Sequence, residues 1–318
     1  MATLLSIMAK HLSRVSHIYT KSSAWTKILF FSVVLVIIVC TFKPHENGLE
    51  GFQQMDEFLF KSEPKDIYDD FYANIYDHLV FNQIKNDYEV GEIVNSTTPS
   101  TVSKILDVGC GTGHHVAMLN SKNLDVIGID TSPSMIKRAK TLYPNYDFSV
   151  ADALVSAQFG ANSFTHILCM YFTLYYFKDK QLFFNNCMKW LMPGGFLIVH
   201  MVNPDKFDPI LPPGNPLMLV SPQKYAKKRI TNTKVKFTDF SYDADFAMNP
   251  ATHVAKFTEK IVNDKNGKVR KNEHTMYMDS IDDILNMAQS SGFILQGIAD
   301  LVKCQYEYQY LYIFLKPN

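Results

Sequence analysis

Lys104-Ile105-Leu106-Asp107-Val108-Gly109-Cys110-Gly111-Thr112-Gly113 is an apolar run of strand length that ends in three glycines spaced two apart. A stretch with helical spacing, His114 to Asn120, follows at once. Glycine takes positive φ at little cost and lets backbone pass close to a ligand, and the free N–H groups at a helix start favour a ligand's acceptor atoms. The turn therefore suits a nucleotide-like ligand. A dinucleotide fingerprint needs its third glycine at position 114, but that residue is His114 and the third glycine is Gly113.

Working outward, apolar runs of strand length alternate with helical stretches. The runs are DVIGID (125–130), YDFSV (146–150), FTHILCMY (164–171) and GFLIVHMV (195–202); the helical stretches between them are Ser134 to Leu142 and Lys180 to Leu191. Thr131-Ser132-Pro133 reads as a cap and first turn. Near-continuous apolar strands alternating with helices mean a parallel sheet covered on both faces, and right-handed crossovers make it a doubly wound α/β fold. Helical periodicity also covers about Pro64 to Ile84, ahead of the first strand.

After Val202 a proline-rich connection (Pro204, Pro209, Pro212, Pro213, Pro216, Pro222) leads to a stretch, Lys234 to Met278, that reads as antiparallel strands. Asn266-Gly267 between VAKFTEKIV and KVRKNEHTMYM is a hairpin signal. Ser280 to Ser290 returns to helix, with Asp283 completing a capping-box-like start and Gly292 at its end. FILQGIADL (293–301) and YQYLYIFLK (308–316) read as two closing strands.

These landmarks resemble the class I S-adenosylmethionine-dependent methyltransferases, whose first motif is an acidic residue followed by G-x-G-x-G. Asp107 opens that motif, Asp130 closes VIGID, Asp152 lies in VADAL after the third strand, and Leu191-Met192-Pro193-Gly194-Gly195 precedes the fifth. The resemblance implies a mostly parallel, seven-stranded, Rossmann-like sheet with an antiparallel β insertion at about 203–278, in a domain over 63–318. It implies S-adenosyl-L-methionine as cofactor. Asp107 is then expected at the methionine end, Gly109, Gly111 and Gly113 at the floor, Asp130 on the ribose hydroxyls and Asp152 at the adenine amino group. Tyr76, Cys110, Thr131, Met135, Ala153 and Met170 are expected around the same ligand. The competing classes are a cofactor-binding scaffold without activity and an NAD-linked oxidoreductase.

Methyl transfer from a sulfonium is an in-line displacement in which positioning supplies most of the catalysis, and a base is needed only for an acceptor that arrives protonated. Tyr171 and His200, at carboxyl ends of strands, are the candidates for that role. His114 and His115 open the motif helix and are candidates for ligand contact, although exposed helix-start histidines without such a role are more common. Tyr68, Tyr72 and Tyr76 recur at i, i+4, i+8 on one face, either as a packing stripe or as rings that cover the cofactor. Phe237, Phe240, Tyr242, Phe246 and Tyr277 either wall a pocket or form a sheet's buried face.

Met170-Tyr171-Phe172-Thr173 lacks the Pro-Pro-aromatic signature of enzymes that methylate nucleic-acid amino groups. With 31 basic against 31 acidic residues there is also no global charge for nucleic acid. A small molecule or a lipid-derived group is the expected acceptor. The basic cluster Lys224, Lys227, Lys228 and Arg229 reads as a solvated face before a binding patch. Cys110, Cys169, Cys187 and Cys304 have no metal-ligand spacing, and no disulfide framework is evident.

The chain has 318 residues, of which 47 % are hydrophobic, which excludes a disordered chain and a disulfide-built miniprotein. Its neutrality conceals an asymmetry: Met1 to Lys43 carries five basic residues and no acid. Within it Ile28 to Phe42 is fifteen uncharged residues, expected as a single membrane-spanning anchor between a basic tail (1–27) and a stem (43–62). Four basic residues precede that run and Lys43 follows it, which favours a non-cytosolic main domain, with Asn95-Ser96-Thr97 as a glycosylation acceptor on that side. The cytosolic cofactor and the absent disulfide framework favour the opposite side, and a mitochondrial presequence is the alternative reading of the tail.

Overall fold

The structure, a computed structural model, describes residues 58–212 and 222–318 together with Ser23, Ala24, Trp25, Lys27, Ile28, Phe31 and Ser32. The chain divides into two units, Met1–Gly48 and Leu49–Asn318. In the first, the described residues from Ala24 onward are helical, and the Ser32 hydroxyl donates to the Ile28 carbonyl at 2.9 Å. Most of the expected span, 28–42, lies outside the described residues. Among the described residues no helix is long and apolar enough to cross a membrane, so the expected single-pass membrane localisation is corrected and the membrane is withdrawn as a partner.

The second unit opens with β1 (Phe58–Lys61), α1 (Pro64–Ile67), α2 (Asp70–Val80) and α3 (Gln83–Thr97). The periodicity expected to run through to Ile84 is broken at Asn82, whose side chain accepts from the Lys85 N–H and starts a new helix. The helix after the break was not foreseen, because its inward face begins with Lys85, Asn86 and Glu89, all buried, and only then turns apolar at Val90 and Ile93. The residues expected as a stem also need correcting at their end, since 58–61 are a strand.

The core alternates as expected. β2 (Lys104–Val108), α4 (His114–Asn120), β3 (Asp125–Asp130), α5 (Pro133–Leu142), β4 (Asp147–Val150), β5 (Phe164–Cys169), α6 (Thr173–Tyr176), α7 (Lys180–Trp190) and β6 (Leu191–Val202) follow in order. Pro133 takes the first turn of α5 and the Ser132 hydroxyl accepts from the Met135 N–H. Then come β7 (Asn232–Lys236), β8 (Phe240–Asn249), β9 (Val254–Asn263), β10 (Val269–Tyr277), α8 (Ile281–Ser290), β11 (Ile294–Asp300) and β12 (Gln309–Leu315).

One sheet has seven strands in the order β11-β12-β6-β5-β2-β3-β4, with β12 antiparallel to both neighbours and β2 to β6 mutually parallel. The order reverses at β2, whose two sides carry β3 and β5; this is the switch point where open α/β sheets bind ligands beyond the strands' carboxyl ends. The insertion forms a second sheet, β1-β10-β9-β8-β7, antiparallel except that β1 pairs in parallel with β10, Phe58 opposite Val269. Two apolar clusters cover the faces of the large sheet. A third joins Ile67, Phe71, Ile75 and Leu79 of the first helices to Phe240, Tyr242 and Ile261 of the insertion, so α2 lies against the inserted sheet.

Candidate active site

A cavity of about 250 Å³ lies at the carboxyl ends of β2, β3 and β5, roofed by the start of the chain's second unit and by the inserted sheet. Among the residues expected at a ligand, Tyr76, Asp107, Gly109, Cys110, Gly111, Asp130, Thr131, Met135, Ala153, Met170 and Tyr171 line it. Gly113, Asp152 and His200 do not.

The glycines divide by task. Gly111, at φ +55°, turns its open side to the cavity, where a β-carbon would meet only the Tyr76 ring at 3.6 Å. Gly109, at φ +68°, lies so tightly against Thr173 that a β-carbon would fall 2.4 Å from its methyl group. Gly113, at φ +88°, caps α4 and packs on Phe148, 2.7 Å from where its β-carbon would stand. It is a packing glycine, not a ligand-facing one, and its expected binding role is corrected accordingly.

Asp130 ends β3 with its carboxylate fixed by backbone: Oδ2 accepts from the Gly111 N–H at 3.0 Å and Oδ1 from the Ser132 N–H at 2.8 Å. Burial pushes its carboxyl up, against the pull of these N–H groups. Asp107 is different. It is 1 % exposed, neither carboxylate oxygen has a hydrogen-bond partner among the described residues, and burial pushes its carboxyl up to about 7. His115 opposes that rise, while Asp130 and Glu89 add to it. An unpartnered acid inside a cavity wall is costly unless a ligand supplies the missing partner. Asp152, half-buried, turns one oxygen to the Leu154 N–H at 2.8 Å and stands outside the lining.

The two histidines that open α4 have structural partners. His114 lies between Phe81, ring centroids 4.1 Å apart, and the Tyr143 hydroxyl, 2.7 Å from Nδ1. Its Nε2 is 3.1 Å from Asp77, which also accepts from the Thr112 hydroxyl at 2.6 Å. His115 Nε2 is 3.0 Å from Glu89, which is fully buried and ion-paired with Lys85 one turn earlier on α3. Burial works to raise the Glu89 carboxyl, yet Lys85 and His115 hold it down at about 2. The Lys85 ammonium stands over the Tyr171 and Tyr306 rings, 5.1 and 5.4 Å from their centroids.

Neither expected base is placed as one. His200 is fully buried, with Nδ1 donating to the Tyr171 carbonyl and Nε2 3.0 Å from the Gln309 side-chain amide, and burial pushes it down to about 4. It positions Tyr171, a non-glycine residue at φ +51°, by holding its carbonyl. Tyr171 does border the cavity, but burial and the nearby Glu89 push its hydroxyl far up, so it stays protonated and is a wall and a hydrogen-bond donor.

The far wall is a hydrogen-bonded set that sequence reading missed. Glu259 of β9, fully buried, accepts on Oε1 from the Tyr72 and Tyr242 hydroxyls and on Oε2 from Asn272 at 2.9 Å. His274 Nε2 stands 2.8 Å from the same Oε2, and its Nδ1 stands 2.7 Å from the Tyr176 hydroxyl. Tyr68 donates to Tyr176 at 2.9 Å. The signal was present: Glu259, Asn272 and His274 interrupt the buried face of alternating strands with polar groups. Of the insertion's aromatics, Phe246 borders the cavity, whereas Phe237 and Phe240 stack on each other at 4.5 Å in the third core cluster. Tyr277 takes the Lys180 ammonium near its ring, 6.0 Å from the centroid.

Residues 105–195 match a methyltransferase domain. The fold agrees: an S-adenosylmethionine-dependent methyltransferase from Clostridium acetobutylicum superposes with a TM-score of 0.59 at 15 % identity, covering 78 % of this chain and 98 % of that one. The CcbJ methyltransferase of Streptomyces caelestis gives a TM-score of 0.60 at 14 % identity, covering 79 % and 98 %. In sequence, phosphoethanolamine N-methyltransferase 1 of Triticum aestivum is 33 % identical over 113 residues, which are 34 % of this chain and 22 % of that enzyme. The chain thus spans about a fifth of the length of that relative. A dTDP-4-amino-2,3,4,6-tetradeoxy-D-glucose N,N-dimethyltransferase of Saccharopolyspora spinosa is 29 % identical over 154 residues, 46 % of this chain and 61 % of that enzyme.

Proposed function

We propose that this protein is an S-adenosylmethionine-dependent methyltransferase that acts on an oxygen or nitrogen of a small molecule. The observation that carries the reading is Asp107: a buried carboxylate with no partner, in the wall beside the open glycine turn, calls for a cationic ligand. S-adenosylmethionine carries a sulfonium and an ammonium, and the sulfonium supplies an activated methyl group. Asp107 would hold the charged end, Gly111 would leave room for the backbone-side approach, and Asp130 at the end of β3 would take the ribose hydroxyls. Asp152, outside the lining, is assigned no contact. The chain's own contribution is to orient the acceptor and exclude water, which the aromatic lining favours.

The acceptor's class follows from the cavity wall. Its lysine among the described residues is Lys85, ion-paired with Glu89, and Phe and Tyr side chains such as Tyr68, Tyr171, Phe207 and Phe246 make up a substantial part of the rest. The matches to phosphoethanolamine and amino-sugar methyltransferases support a small acceptor. Titration calorimetry of the full chain with S-adenosylmethionine and with NADH tests the cofactor, and methyl-labelled cofactor with small-molecule, protein and RNA fractions tests the acceptor. Binding of the first ligand and label in the small-molecule fraction are expected. Binding of NADH alone, or label confined to protein or RNA, overturns the reading.

A further inference from the structure

The hydrogen bonds of the far wall have a direction. Glu259 is a carboxylate engaged on both oxygens, and burial, which would raise its carboxyl, is outweighed by His274 and the hydrogen bonds it accepts. A carboxylate only accepts, so a hydrogen of His274 sits on Nε2, and in the neutral ring Nδ1 is the acceptor for the Tyr176 hydroxyl. Tyr176 in turn receives the Tyr68 hydroxyl hydrogen. The oxygen of Tyr68 accepts from no described residue, and Tyr68 is half-buried at the cavity. With that tautomer, every hydrogen in the row Tyr68, Tyr176, His274 points along the cavity wall toward Glu259.

The row also begins in the right place. The Tyr68 ring packs against Tyr76, centroids 6.1 Å apart, and Tyr76 stands over Gly111 of the glycine turn. A purely structural role for such a set is poor economy, since apolar residues of equal volume stabilise a core as well as a buried polar network does.

We propose that Tyr68, Tyr176 and His274, held by Glu259, form a proton relay that takes the proton from the N–H or O–H group to be methylated. The proposal rests on the methyl-transfer reading above. The acceptor's N–H or O–H donates to Tyr68 Oη. As the acceptor's lone pair becomes the new bond to the methyl carbon, and the carbon–sulfur bond breaks with its electron pair left on the former sulfonium sulfur, the acceptor's proton moves to Tyr68, the Tyr68 proton to Tyr176, and the Tyr176 proton to His274 Nδ1. Glu259 stays ionised and faces the resulting imidazolium. One proton leaves the acceptor, one arrives on the imidazole, and no oxidant or reductant is involved. Tyr68 is the catalytic residue that touches the acceptor; Tyr176 and His274 carry the proton onward, and Glu259 is the positioning residue.

The relay defines a substrate class: a small amine or alcohol that arrives protonated. A carboxylic acid is already ionised at neutral pH, needs no base and is repelled by Glu259. The groups that face His274 are Tyr68 and Tyr72 from the helical side, Tyr176 of α6, and Phe257 and Glu259 of β9. The Arg270–Asp69 ion pair lies behind Tyr72, with the guanidinium 5.7 Å from its ring.

Two measurements on the full chain test the relay. In protein carrying nitrogen-15 histidine, the His274 resonances, identified by their loss in His274→Gln, should show a neutral ring with hydrogen on Nε2 at pH 7.5. The Nδ1 resonance should move in Tyr176→Phe. A hydrogen fixed on Nδ1, or an imidazolium persisting through pH 8, overturns the relay whatever the activity. Next, with methyl-labelled S-adenosylmethionine and a small-molecule extract as the source of acceptor, Tyr68→Phe, which removes a single oxygen, should be at least tenfold slower at pH 7. Its cofactor affinity should be unchanged, and for an amine acceptor the deficit should narrow above pH 9 as the ammonium loses its proton in solution, whereas for an alcohol it should persist. A Tyr68→Phe variant with the wild-type rate and pH profile also overturns it. Wild-type protein that binds no S-adenosylmethionine defeats the methyl-transfer reading instead, and the relay with it.

Discussion

Tyr76 lies over Gly111 at ordinary van der Waals distance, its Cε1 3.6 Å from where a β-carbon would be, so an added methyl group would fill the cavity floor without striking backbone. Gly111→Ala should therefore fold, at a cost of about 1 kcal/mol for an alanine at positive φ, and lose at least tenfold in S-adenosylmethionine affinity. Gly113→Ala should behave in the opposite way. Its β-carbon meets the Phe148 ring, and a loss of roughly 3 kcal/mol in stability is expected from strain and overpacking together. Thermal unfolding and calorimetric titration of the two variants separate the effects; equal loss of stability in both would contradict the division of tasks.

Ligand binding should depend on pH through Asp107. With its carboxyl at about 7, the free protein carries the proton below neutrality, and a cation bound beside it favours the ionised form. Binding should release a proton between about pH 5 and 7, and affinity should rise with pH over that window and level off above it. Titrations in buffers of different ionisation enthalpy detect the released proton. In Asp107→Asn affinity should be lower and the pH dependence gone. The sign for stability is the reverse: a raised carboxyl favours the folded state at low pH, and this contribution is lost as pH rises through about 7.

Lys85 and Glu89 form a buried pair whose halves are not separately dispensable. Lys85→Met leaves Glu89 with His115 alone and should cost about 3–5 kcal/mol in denaturant unfolding. Because the folded Glu89 carboxyl is held at about 2, it stabilises above the ordinary glutamate range and the effect is lost as pH falls toward 2. That acid-range slope should shrink in the variant. An unchanged slope would show that Lys85 does not hold the carboxylate.

Lys180 fastens the start of α7 to the end of β10. Its ammonium, completely enclosed, donates to the Phe177 and Tyr277 carbonyls at 3.0 and 2.8 Å and to the Asp279 carboxylate at 2.6 Å. Lys180→Met should lower stability by about 2–4 kcal/mol, since two carbonyls lose their donor. Hydrogen exchange at the last residues of β10 should speed up accordingly, while the N–H groups of β2 and β3 keep their protection.

The alternating core was readable because each of its elements announces itself locally: KILDV and DVIGID are mostly apolar with charges at their ends and at Asp107, His114 to Asn120 begins after a glycine turn, and Pro133 follows a serine cap. The same holds for the hairpin at Asn266-Gly267 and for α8. What was not readable depends on partners far off in the chain. Helix α3 hides behind buried Lys85 and Glu89, which look like surface charges until they are paired. Strand β1 is only four residues, half of them exposed, and exists because β10 offers an edge. His200 ends a strand at the cavity side, as a base would, yet the Tyr171 carbonyl and Gln309 enclose it. Tyr72 meets Glu259 across 187 positions, a separation no spacing rule reaches.

The parallel pairing of β1 with β10 sets an order of events in time. Residues 58–61 are made early but have no edge to join until 269–272 have been synthesised, and contacts that close so long a loop form late. Arg270, which clasps Asp69 and the Ile67 carbonyl, arrives with the same strand. A nascent chain that has reached Val202 therefore already holds its glycine turn and Asp107, whereas the roof that carries Glu259 and His274 is still to come. The roof of the cavity is thus born well after its floor.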